Sequence, residues 1–192
     1  MPILGVIASS TRQGQVTGDT GAMFPLQAIQ IGADGIASIS FTNIPTTGYA
    51  HLQIRGIVRS SNASATAGFI MRVNGDSGST YSAHNIGGDG ASPQANYYVS
   101  NTYMYPGPAM PAATATASVF GSLIIDILDY ANTNKYKTMR AFSGFDANGS
   151  GQIYLTGSNW RNSNAITSIS LLFTSSNCVQ YSQFALYGVK SA

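Results

Sequence analysis

Two carboxylates, Asp126 and Asp129, stand three residues apart in the most apolar stretch of the chain. Paired carboxyl groups are the usual apparatus of glycoside cleavage. On a strand, residues three apart point to opposite faces, so regular geometry does not bring both to one substrate. Asp126 is expected to pair with an arginine such as Arg55 or Arg59. A second constellation, Asp146-Ala147-Asn148-Gly149-Ser150-Gly151, opens like a calcium loop, with oxygen ligands at positions one, three and five and a glycine at six. Its twelfth position is Gly157, where a bidentate Glu is needed, and strand-forming residues follow, so a Gly/Asn hairpin turn accounts for the same residues. Cys178 is the single thiol, which excludes an intrachain disulfide, and both histidines, His51 and His84, lie far from it in sequence. It reads as a small hydrophobe near a strand end. No nucleophile elbow, zinc-protease or phosphate-loop pattern occurs.

Aromatic side chains offer a different chemistry. Tyr97, Tyr103 and Tyr105 are expected on one face of a strand over residues 96–105, with Tyr98 on the other. Such a face can stack on sugar rings or anchor a protein interface, and cross-strand tyrosine pairing explains it equally. Trp160, just before Arg161-Asn162-Ser163-Asn164, is expected at a strand-end rim and offers a further sugar platform. These five residues are the candidate interface or glycan contacts; no catalytic residue, cofactor or metal is assigned.

The elements that must position them read as strands. Over residues 49–59, Leu52, Ile54, Gly56 and Val58 alternate with Gln53, Arg55, Ile57 and Arg59, the period of a half-buried strand. Residues 68–73 run into Asn74-Gly75, a hairpin signal whose return strand is expected at 80–84. A Gly-rich loop follows over 86–94, and Pro106, Pro108 and Pro111 mark an irregular crossing. Residues 119–130 are apolar in both registers and predict a strand buried on both sides. Residues 136–144 and 152–160 flank the Asp146 turn as a second hairpin, and strands at 166–174 and 180–190 close the chain. About eight strands at regular spacing predict an all-β fold, an antiparallel jelly-roll-like β-sandwich over residues 36–192. Residues 1–35, glycine-rich with few long apolar stretches, predict an extended N-terminal arm or short strands.

Composition narrows function. In 192 residues, charged side chains make up 8%, against about 25% in ordinary globular chains, and all seven acids are Asp. Nine scattered cations give no basic patch for nucleic acid. No apolar run approaches the roughly 20 residues of a membrane helix. The first residues lack the basic flank of a signal peptide. A soluble monomer normally relies on surface charge, so a neutral exterior of Ser, Thr, Asn and Gly with apolar groups suits a chain packed against partners.

The carboxyl-terminal stretch Ile166-Thr-Ser-Ile-Ser-Leu-Leu-Phe173, then Tyr181-Ser-Gln-Phe-Ala-Leu-Tyr-Gly-Val-Lys190, resembles the closing strands of jelly-roll structural proteins from tailed bacteriophages. The segment Phe41-Thr-Asn-Ile-Pro-Thr-Thr-Gly-Tyr-Ala-His-Leu-Gln-Ile-Arg-Gly-Ile-Val-Arg59 is similar to the strand pair that opens such domains. The resemblance implies a virion location and no catalytic residues. It leads to the expectation of a non-enzymatic capsid decoration (cement) protein, a homotrimer contacting the major capsid protein or other virion proteins. The alternative is a tail-fibre or receptor-binding domain recognising host surface glycan.

Overall fold

The computed structural model describes residues 22–190. They form twelve antiparallel strands in two sheets, an all-β sandwich, with no helix among the described residues. The strands are β1 (Met23–Gln30), β2 (Ser38–Phe41), β3 (His51–Val58), β4 (Thr66–Val73), β5 (Tyr81–Gly88), β6 (Pro93–Asn101), β7 (Met104–Pro111), β8 (Gly121–Leu128), β9 (Lys137–Asp146), β10 (Gly151–Trp160), β11 (Ile169–Phe173) and β12 (Gln183–Val189). The large sheet has eight strands in the order β1-β12-β3-β8-β9-β10-β5-β6. The small sheet has four, β2-β11-β4-β7.

Alternation places the core between the sheets. In β3, Leu52, Ile54 and Val58 are buried inward while Arg55 and Ile57 point out. Leu123, Ile125 and Ile127 of β8 and Phe184 and Leu186 of β12 join them. From the small sheet come Phe69, Met71, Val73, Leu171 and Phe173. Phe69 stacks on Phe184 across the sandwich, ring centroids 5.7 Å apart. Room for that ring comes from Gly56, where a Cβ atom would come within 2.6 Å of it.

Four expectations change. The strands number twelve rather than about eight, because short edge strands and a split in the tyrosine segment were not separable by spacing. Asn74 and Gly75 do adopt the left-handed pair of a tight turn, with φ of 51° and 69°. Yet β4 and β5 do not pair: the turn carries the chain from the small sheet to the large one. Asn74 fixes that crossing, its Oδ1 accepting the backbone N–H groups of Thr167 and Ser168 and its Nδ2 donating to the Ala165 carbonyl. The strand within 119–130 is buried on one side only, and its second apolar face looks outward. The Gly-rich loop is shorter than expected, since β5 runs to Gly88 and β6 begins at Pro93. The hairpin β9–β10 about the Asp146 turn forms as expected. Of the expected arm, residues 1–21 lie outside the described residues; β1 is the edge strand of the large sheet, paired with β12.

Candidate functional site

The outer face of the large sheet breaks the rule that a solvent-facing strand face is polar. One line of cross-strand partners runs across all eight strands: Ala28, Ala185, Arg55, Ile124, Phe142, Leu155, Ile86 and Ala95. Seven of these eight are apolar. Ile124 is 42% exposed, Phe142 52%, Leu155 51% and Ile86 60%. The next line adds Ile57 and Ile153, also exposed, separated by Ser122 and Gly144. Large knobs therefore alternate with small residues. Between them lie depressions of about 700 Å³ beside Ile57 and Ile124 and about 560 Å³ among Ile86, Phe142 and Leu155.

The charges of this face bind one another. Arg140 Nε donates to Asp126 Oδ2 at 2.9 Å, and Gln53 Nε2 donates to Asp126 Oδ1 at 2.8 Å. Arg55 Nε donates to Gln53 Oε1 at 2.9 Å, with its guanidinium over the Tyr187 ring. The partner of Asp126 is thus Arg140, its neighbour on β9, rather than Arg55 or Arg59. Arg59 instead binds the carbonyls of Ala115, Thr116 and Val119 in the connection from β7 to β8.

The five aromatic candidates separate. Tyr97 is on the outer face, 69% exposed, stacked with His84 at 6.1 Å between centroids. Tyr98 lies on the other face of β6, where its ring meets Tyr105 edge-on at 5.3 Å, and Tyr103 packs on Tyr105 at 5.8 Å. The expected common face of Tyr97, Tyr103 and Tyr105 does not exist, because the chain leaves β6 through Ser100, at a φ of 50°, and enters β7 in the other sheet. Burial pushes the Tyr105 hydroxyl up to about 12. Trp160, expected at a rim, is 1% exposed. Its Nε1 donates to Asp76 Oδ2 at 2.7 Å, so it offers no platform to a sugar. Asp76 also accepts from Thr80 and from the Gly78 backbone, and the Trp160 and Thr80 bonds hold its carboxyl below the usual range.

The remaining polar candidates are structural. Asp129 stands at the end of β8 against Lys135 and His51, and the Lys135 hydrogen bond holds its carboxyl low. Asp146 Oδ1 accepts the Asn148 N–H at 2.9 Å inside the β9–β10 turn, with Asn148 and Gly149 at positive φ. No cluster of three or more metal-ligating side chains occurs among the described residues. Cys178 is buried where the Ile36 and Ser60 bridges meet, and burial raises its thiol to about 12, so it is protonated at neutral pH.

The outer apolar line escaped the reading of single strands. Its one legible signal was the second apolar face of residues 119–130; the other members lie on seven further strands and need their register to align. No family model, curated protein or solved structure matches the chain.

Proposed function

We propose that this chain is a non-enzymatic structural protein of a bacteriophage virion, acting as a capsid decoration or cement protein that stabilises the shell through subunit contacts. The observation that supports it best is the outer face of the large sheet, where exposed Ile, Leu and Phe side chains form a continuous line. Contiguous exposed apolar surface marks a place where another molecule sits. With charged residues at 8% of the chain, such contacts rest on burial of neutral surface rather than on ion pairs. The resemblance of residues 166–190 to the closing strands of phage jelly rolls supplies the virion context.

The test is quantitative mass spectrometry of purified particles. A decoration role gives a high copy number in fixed ratio to the major capsid protein. A few copies per particle moves the chain to the tail, and absence from the particle removes the reading. A second reading, recognition of host surface glycan, is favoured by Tyr97, an exposed ring stacked with His84. It requires that Tyr97→Ala abolish binding to host cells.

A further inference from the structure

We infer that the outer face of the large sheet is covered by the same face of a second copy of this chain. The inference rests on the reading of the chain as an assembly protein and names the partner of that surface.

Three features select the occupant. The first is size. Eight strands about 4.8 Å apart, each about eight residues long at about 3.3 Å per residue, span roughly 900 Å², and a standard interface buries about 800 Å² on each partner. The second is charge. Arg55, the one charged member of the line, is engaged with Gln53 and Tyr187, and Asp126 and Arg140, on the neighbouring line with Gln53, bind each other. A strongly acidic or basic partner finds no matching charge there, whereas a second neutral face fits. The third is relief. Twisted sheets pack face to face by interdigitating side chains, and here Phe142 and Ile153 project beside a hollow lined by Ser122 and Gly144, and Ile124 beside one lined by Ser122. A two-fold axis brings the knobs of each face over the hollows of the other, and every contact between two different residues then occurs twice, once in each direction.

The test uses the full chain. Sedimentation equilibrium is expected to give an even multiple of 20.1 kDa, a dimer or a pair of trimers rather than the lone trimer that the resemblance implies. Leu155→Asp and Phe142→Asp, at solvent-exposed positions, are expected to weaken association about 10–100-fold. Ser40→Asp, exposed on β2 of the small sheet and so off this face, is expected to leave it unchanged. Fluorescence of Trp160, the single tryptophan, shows that each variant remains folded. Because Cys178 is buried, Leu155→Cys introduces the reactive thiol of the molecule. Its alkylation is expected to slow as protein concentration rises. A monomer at about 100 μM, an odd number of copies, or association indifferent to both Asp variants overturns the inference. So does an introduced thiol that is open, or shielded, at every concentration; constant shielding in a monomer assigns the face to another segment of the same chain. Absence from virions leaves these results standing, and a monomer in solution leaves the virion count standing, so the two readings fail separately.

Discussion

At the scale of single residues, the least replaceable polar groups hold turns together. Asp76 receives the Trp160 indole N–H, the Thr80 hydroxyl and the Gly78 amide. Asp76→Ala strands a buried indole N–H and is expected to cost about 1–3 kcal/mol, read from the urea midpoint followed by Trp160 fluorescence. The pH dependence has a definite sign. The folded pKa of Asp76 lies below its ordinary value of 3.8. Its ionised form therefore contributes stability that is present above about 3.8 and is lost as pH falls through the lower folded value. The stability gap between wild type and Asp76→Asn is expected to hold at neutral pH and to narrow below that point. Lys137 is the second such residue. Its fully buried ammonium donates to the carbonyls of Asn132, Lys135 and Ser163. Lys137→Met removes the donor from three carbonyls, and an expected loss of about 2–5 kcal/mol follows, checked by the same denaturation curve.

At the scale of elements, the crossings matter more than the strands. Asn74 sits at a φ of 51° and ties the β4–β5 crossing to residues 165–168. Both Asn74→Ala and Asn74→Gly lose those bonds, but only Ala must bear the left-handed conformation, so it is expected to be less stable than Gly by about 1 kcal/mol. Thermal melting of the pair checks this. Arg59 acts on a longer crossing, its guanidinium collecting three carbonyls between residues 115 and 119. In Arg59→Ala that connection is expected to become the first site of limited proteolysis, with the sandwich intact. The strands themselves were legible in the sequence. Leu52, Ile54 and Val58 alternate with Arg55 and Ile57 as a half-buried strand must, and the Asp146 turn closes the hairpin it promises. What local pattern could not supply was the destination of each turn. Asn74-Gly75 specifies a tight reversal, and nothing nearby states that the returning strand joins another sheet. For the same reason Trp160 read as a rim residue, since its partner Asp76 is 84 positions away. Of the candidate site, Tyr97 was visible as an exposed aromatic. The line from Ile124 to Ile86 was not, because it is a property of register across four strands.

At the scale of the whole molecule, surface rather than chemistry carries the proposed role. Contacts made by Ile124, Phe142 and Leu155 depend on removing apolar area from water, and such burial is not screened by ions. Self-association is therefore expected to persist, or tighten, between about 0.1 M and about 1 M salt, where surface ion pairs fade; sedimentation at both ends of that range checks it. The edge of the small sheet bears on assembly in a different way. β7 contains Pro106, Pro108 and Pro111, which have no N–H to offer, and its paired neighbour within that sheet is β4. Three of the eight residues of β7 therefore lack a backbone donor, whereas β2 at the opposite margin carries no proline. The two margins of the small sheet are thus unequal as templates: a peptide fused or swapped into this protein is expected to find the fuller row of hydrogen-bonding partners beside β2.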